Sequence, residues 1–192
     1  MIIRFCNRPS ERHIKDYQPF FITMNNPENR DFEIIPPEPR AGDNVTIRGT
    51  SSAESVDIAM TFTRTVPVKG GKYKCRMPDT EVPERPNRLT VIAENVKNLK
   101  VRVKILLWMT RRARASEGVA EIRESDVPSG KYDIRIEGNA AEGQSQVNLT
   151  VAASRTIKVE NGRFEETFPT KTIPADEFEV TVAEQTETIK LH

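Results

Sequence analysis

The sequence predicts an all-β protein made of two tandem β-sandwich domains that arose from an internal duplication. Three observations predict it: a repeat held in one register, apolar residues alternating with polar ones, and prolines spaced too densely for helices. The run RTVPVKGGKY at 64–73 lies over RTIKVENGRF at 155–164 without a gap. The match continues with Pro78 on Pro169, Val82-Pro83 on Ile173-Pro174 and Thr90-Val91 on Thr181-Val182. Upstream, Val56, Ile58 and Met60 fall on Val147, Leu149 and Val151. Val45–Gly49 then matches Ile134–Gly138 once a two-residue difference is allowed in the loop between. Loops absorb insertions that strands do not, so a length change confined to a loop is what a duplication leaves behind.

Each copy reads as strands. Val45/Ile47, Val56/Ile58/Met60 and Leu89/Val91 alternate with polar neighbours, as do Ile134/Ile136, Val147/Leu149/Val151 and Val180/Val182 in the second copy. A two-residue period places one face in a core and the other in water. Gly70-Gly71 and Asn161-Gly162 stand between short β-rich runs, where two-residue hairpins need residues that accept positive φ. Prolines at 36, 37, 39, 67, 78, 83, 86, 128, 169 and 174 exclude long helices over most of the chain. About seven short strands in about 90 residues is the pattern of an immunoglobulin-type sandwich. The Cys and Trp arrangement of antibody domains is missing, so the expectation concerns architecture alone.

The expected domains are residues 1–103, an N-terminal segment plus the first sandwich, and 104–192, the second. Val101 and Val103 align with Ile189 and Leu191. The alternating run from Leu99 to Met109 therefore reads as one stiff strand that ends the first domain and begins the second, with Leu106 and Trp108 packed between them. The segment 1–29 has no counterpart inside the repeat. Its apolar run, Phe20, Phe21, Ile22, Thr23 and Met24, is a candidate strand-exchange segment that completes a neighbour's sheet. The alternative is that it supplies the first strand of its own domain.

Composition narrows the function classes. The 192 residues are 36% apolar, 6% aromatic and 30% charged, and 29 Lys+Arg against 28 Asp+Glu leave a formal net charge of +1. A near-neutral chain has no overall field for gathering a polyanion, so nucleic acid is not the expected partner. The longest strongly apolar run, Ile105–Met109, is far short of the roughly 20 residues that cross a bilayer. Residues 1–19 contain no apolar core of signal-peptide length. The chain ends at Lys190-Leu191-His192, directly after a strand-like run, which suggests a piece of a longer precursor. The histidines, His13 and His192, stand near no nucleophile motif, and no constellation of catalytic, metal or cofactor ligands emerges.

Four candidate sites remain. Lys100, Arg102, Lys104, Arg111, Arg112 and Arg114 form the one basic cluster, and Arg111, Arg112 and Arg114 are a candidate anionic-ligand patch; the alternative is a solvated strand face. Cys6 and Cys75 are a candidate disulfide, the alternative being two free thiols. Asn44-Val45-Thr46 and Asn148-Leu149-Thr150 are sequons, making Asn44 and Asn148 candidate glycan acceptors. Tyr17, Phe20 and Phe21 are the best candidates for a glycan-binding aromatic face.

The run VPSGKYDIRIEG at 127–138, followed by VNLTV at 147–151, IKVENGRF at 157–164 and Ile173-Pro174-Ala175, resembles the tandem immunoglobulin-like repeats of archaeal surface-layer and other cell-surface proteins. The resemblance spans both copies, from about residue 30 to the end. It implies a non-enzymatic, extracellular, self-assembling structural module: a subunit or segment of a surface layer, sheath, filament or stalk. Its partners would be copies of itself or neighbouring β-domains. The alternative from another class is a carbohydrate-binding β-sandwich module, for which the partner is a glycan. No cofactor is expected on either reading.

Overall fold

A computed structural model describes residues 31–104, 108–173 and 177–192. These residues form thirteen strands: β1 (Phe32–Ile35), β2 (Asn44–Thr50), β3 (Ser55–Pro67), β4 (Lys72–Val82), β5 (Asn87–Glu94), β6 (Asn98–Lys104), β7 (Trp108–Arg114), β8 (Val119–Ser125), β9 (Gly130–Asn139), β10 (Gln146–Lys158), β11 (Arg163–Pro169), β12 (Glu177–Val182) and β13 (Gln185–Lys190). A 3-10 turn at Thr170–Thr172 is the only helical element among the described residues. The all-β expectation holds, and each alternating pair or triplet assigned to the two copies lies in a strand.

The strands make three antiparallel sheets. The largest runs β13-β12-β3-β10-β5-β8; the others run β4-β9-β6-β7 and β1-β2-β11. At its centre β3 and β10, 13 residues each, pair from Ser55 opposite Lys158 to Pro67 opposite Gln146. No glycine or proline interrupts the interior of either run, and the β-branched Thr and Val in both favour extended backbone. On β10, Val147 and Leu149 enter one core and Ile157 enters another; on β3, Val66 enters the first core while Val56 and Ile58 enter the second. Alternation puts these side chains on one face of the sheet. The two smaller sheets therefore lie side by side on that face, each roofing its own core.

The first core lies beneath the four-stranded sheet and includes Tyr73, Met77, Leu99, Ile134, Ile136 and Leu149. The second lies beneath the three-stranded sheet and includes Phe32, Val45, Ile47, Phe164, Phe168, Phe178 and Val180. Each core thus combines residues from both halves of the chain. The expected boundary between 103 and 104 falls inside β6, and β6 and β7 form an antiparallel pair within one sheet in place of one continuous strand. The layers differ from the tandem arrangement because β3 and β10 run straight through both cores instead of turning back within one.

The sequence match reappears as geometry. Thr61 and its matched residue Ala152 face each other at the midpoint of the β3–β10 ladder. Val45–Gly49 on β2 stands to β11 as Ile134–Gly138 on β9 stands to β4. Gly70-Gly71 and Asn161-Gly162 make the expected hairpins, with φ of 58° and 71°, and 53° and 73°. The match drifts further along: Val91 lies opposite Val151 and Val180 opposite Met60, so Val91 corresponds to Val180 and not to Val182. A two-residue slip keeps the same side chains inward, which is why alternation alone does not reveal it. Nor does β6 correspond to the last strand: β6 pairs with β9 as β1 pairs with β2, whereas β13 pairs with β12.

Candidate interaction surfaces

The four-stranded sheet sends Tyr73, Leu99, Val101, Ile134 and Ile136 into the first core, so the alternate residues of each strand point outward. These are Lys72, Lys74 and Arg76 on β4, Lys131 and Arg135 on β9, Lys100, Arg102 and Lys104 on β6, and Arg112 and Arg114 on β7. Against them stand Glu81, Asp133 and Glu137, so the face is strongly basic although the chain is nearly neutral. Lys100 Nζ lies 2.5 Å from Glu137 Oε1, and Arg102 lies 3.7 Å from the same oxygen. The hydrogen bond from Lys100 holds the Glu137 carboxyl below its ordinary range, with partial burial opposing and the Lys100, Arg102 and Lys74 charges assisting.

Trp108 lies on this face and not between domains. The guanidinium of Arg135 is 4.2 Å from the indole centroid and that of Arg102 is 5.2 Å away. These are cation–π distances, so the indole holds two arginines in place. Beside this cluster a shallow groove of about 1070 Å³ crosses the four strands, lined by Lys69, Lys72, Lys74, Lys100, Arg112 and Arg114, with Glu137 and Asn139 in its bed.

The structure divides the basic patch expected from the sequence. Arg112 and Arg114 face outward into the groove. Arg111 is on the opposite face of β7, with Met109 and Ala113, where it pairs with Glu124 of β8 and links the edges of two sheets. Lys72, Lys74, Lys131 and Arg135 join the face from strands distant in sequence. A count of cations along one run cannot find them; the alternation of Lys72/Lys74/Arg76 and Lys131/Arg135 with buried neighbours was the signal that could have.

The outer face of the six-stranded sheet is different in kind. Along its two central strands the outward residues are Ala59, Thr61, Thr63 and Thr65, and Asn148, Thr150, Ala152 and Ser154. None is charged. Thr63 and Thr150 share a hydrogen bond of 3.3 Å across the ladder, and Thr65 donates to Asn148 Oδ1 at 3.2 Å. Among the described residues β8 and β13 are the outer strands of this sheet.

Between the two roofs a valley of about 700 Å³ is floored by Met60, Phe62, Val151 and Ala153. Arg155 bridges it, pairing with Glu166 of β11 and reaching Glu84 beyond β4 at 3.4 Å.

The remaining expected sites separate as follows. Asn44 is exposed at the first position of β2. Asn148 is half-buried and engaged on both sides, accepting from Thr65 and donating to Glu94 Oε2 at 3.5 Å. Cys75 is buried in the first core, and burial pushes its thiol pKa up against an opposing contribution from Arg64. Cys6, Tyr17 and the strand-exchange residues Phe20, Phe21, Ile22 and Met24 lie outside the described residues. Among the described residues no group of three His, Cys, Asp or Glu converges on a metal position, and no helix is long and apolar enough to cross a membrane.

Comparison with protein-family models, with curated proteins and with solved structures finds no match to this chain.

Proposed function

We propose that the protein is a non-enzymatic structural module of an extracellular surface assembly and that it associates with copies of itself. The observation that carries this reading is the outer face of the six-stranded sheet, where a strip of small, uncharged side chains runs from Ala59 to Thr65 and from Asn148 to Ser154 along the two central strands. Small residues let a second sheet approach to the roughly 10 Å spacing of stacked sheets. The sandwich halves are read as an immunoglobulin-like duplication whose copies have exchanged strands through β3 and β10. In support, Tyr132 at the start of β9 donates its hydroxyl back to Pro128 O at 2.7 Å, the type of corner found in immunoglobulin sandwiches.

Light scattering and electron microscopy test the reading. Concentration-dependent assembly is expected of the full chain, and Thr63→Lys with Ser154→Lys, which place two charges on the uncharged strip, is expected to abolish it while circular dichroism stays that of a β protein. A chain that stays monomeric at high concentration, or assembles equally well with both lysines, overturns it. The glycan-binding alternative also has a specific observation in its favour, the basic groove on the four-stranded sheet.

A further inference from the structure

We propose that the basic groove across β4, β9, β6 and β7 is a binding site for a linear anionic polysaccharide. Three observations converge on a linear polyanion. The cations come from all four strands, so their arrangement is a product of the fold and not of one charged run. Outward residues repeat about every 6.8 Å along a strand and about 4.8 Å between strands, which sets a grid of donors against closely spaced sulfate, phosphate or carboxylate groups. Several cations remain after Glu137 has taken Lys100 and Arg102.

Trp108 decides between polymers. Single-stranded nucleic acid is held on basic surfaces by stacking bases on open aromatic faces. Here two guanidiniums pack against the only aromatic ring that the face presents among the described residues, at 4.2 and 5.2 Å. The surface recognises charge and offers no base platform. The same packing preorganises Arg135, lowering the entropy lost when an anion is gripped.

The test is a fluorescence titration of the full chain, read through Trp108, with size-defined heparin as a sulfated probe, polygalacturonate as a carboxylated probe and a thymidine 20-mer as the nucleic-acid rival. Binding of a glycan probe is expected at about 50 mM salt, weakening at least about tenfold by about 200 mM as counterion release is lost. Whichever glycan binds more tightly names the charged group. Lys74→Glu with Arg112→Glu is expected to weaken glycan binding at least tenfold. Arg88→Glu with Arg123→Glu, the same change in net charge on the outer face of the six-stranded sheet, is expected to leave it within twofold. No glycan binding by the native chain, tighter binding of the thymidine 20-mer, or equal losses from the two charge reversals overturns the proposal. Column retention of the native chain on immobilised heparin provides a readout should Trp108 prove insensitive. These outcomes are separate from self-association, which is tested on the other sheet.

Discussion

Gly138 and Gly49 show how one missing atom sets two packing arrangements. A Cβ on Gly138 would lie 2.3 Å from Asn98 O and 2.6 Å from the Tyr73 hydroxyl; on Gly49 it would lie 2.3 Å from Asp31 O and 2.6 Å from the Phe164 ring. The aromatic ring occupies the space a side chain would take, and Tyr73 turns its hydroxyl to Asn98 O at 2.8 Å, while burial raises its pKa. Gly138→Ala is therefore expected to cost about 1–3 kcal/mol through overpacking, measured as a lower Tm. Both glycines were visible as matched positions in the repeat, but nothing in the sequence says that Tyr73 and Phe164 lie across them. Glu137 supplies a second prediction. Its pKa is lowered in the folded state from 4.5, so its pairing with Lys100 stabilises the fold fully above that value and is lost as pH falls through the lower, folded-state value. Glu137→Gln is expected to be less stable than the native chain near neutrality and to lose less on acidification, checked by urea unfolding across the acid range.

At the scale of elements, β3 and β10 carry the consequence of sharing. Ile58 is fully buried in the second core, whereas the single Trp, Trp108, is on the roof of the first. Truncating Ile58 to Ala removes about 2–5 kcal/mol. Because β3 serves both cores, the Trp108 fluorescence transition is expected to shift to lower denaturant together with the far-ultraviolet circular dichroism signal. Two separated transitions would show the cores to be independent. Thr61→Pro, at the midpoint of the central ladder, removes a backbone donor from an interior strand and is expected to destabilise both cores at once. The strands themselves were legible, since alternation and turn residues are local signals. Their partners were not: the repeat reads equally well as two closed sandwiches or as two that trade halves, and only the length of the uninterrupted runs 55–66 and 146–158 hints at the second. The drift that puts Val91 in the place of Val180 was hidden by its even parity. Likewise, the Leu99–Met109 run reads as one strand because nothing in its alternation marks the reversal between Lys104 and Trp108.

The whole molecule combines two sheet faces of different character, one with a strip of small uncharged residues along its central strands and one strongly basic, within a chain whose net charge is +1. Net charge therefore concealed the feature with the clearest ligand chemistry. Asn44 and Asn148 give a prediction at this scale. In a glycosylating host Asn44 is expected to carry the glycan and Asn148 not, because modification there would break its contacts with Thr65 and Glu94 and crowd the uncharged strip; peptide mass spectrometry reads the occupancy of each. The exchange of strands also has a consequence for synthesis. The second core needs β1, β2, β3 and β10 together with β11, β12 and β13, so it cannot close until β13 has left the ribosome. The first needs β3 through β10, and its floor strand β10 is followed at once by residues committed elsewhere. A nascent chain released near its midpoint would expose Ile47, Ile58 and Val101 without their partners, leaving apolar strands open to aggregation. Closure of the second core should accordingly wait for β13, leaving long β segments unpaired until that strand emerges.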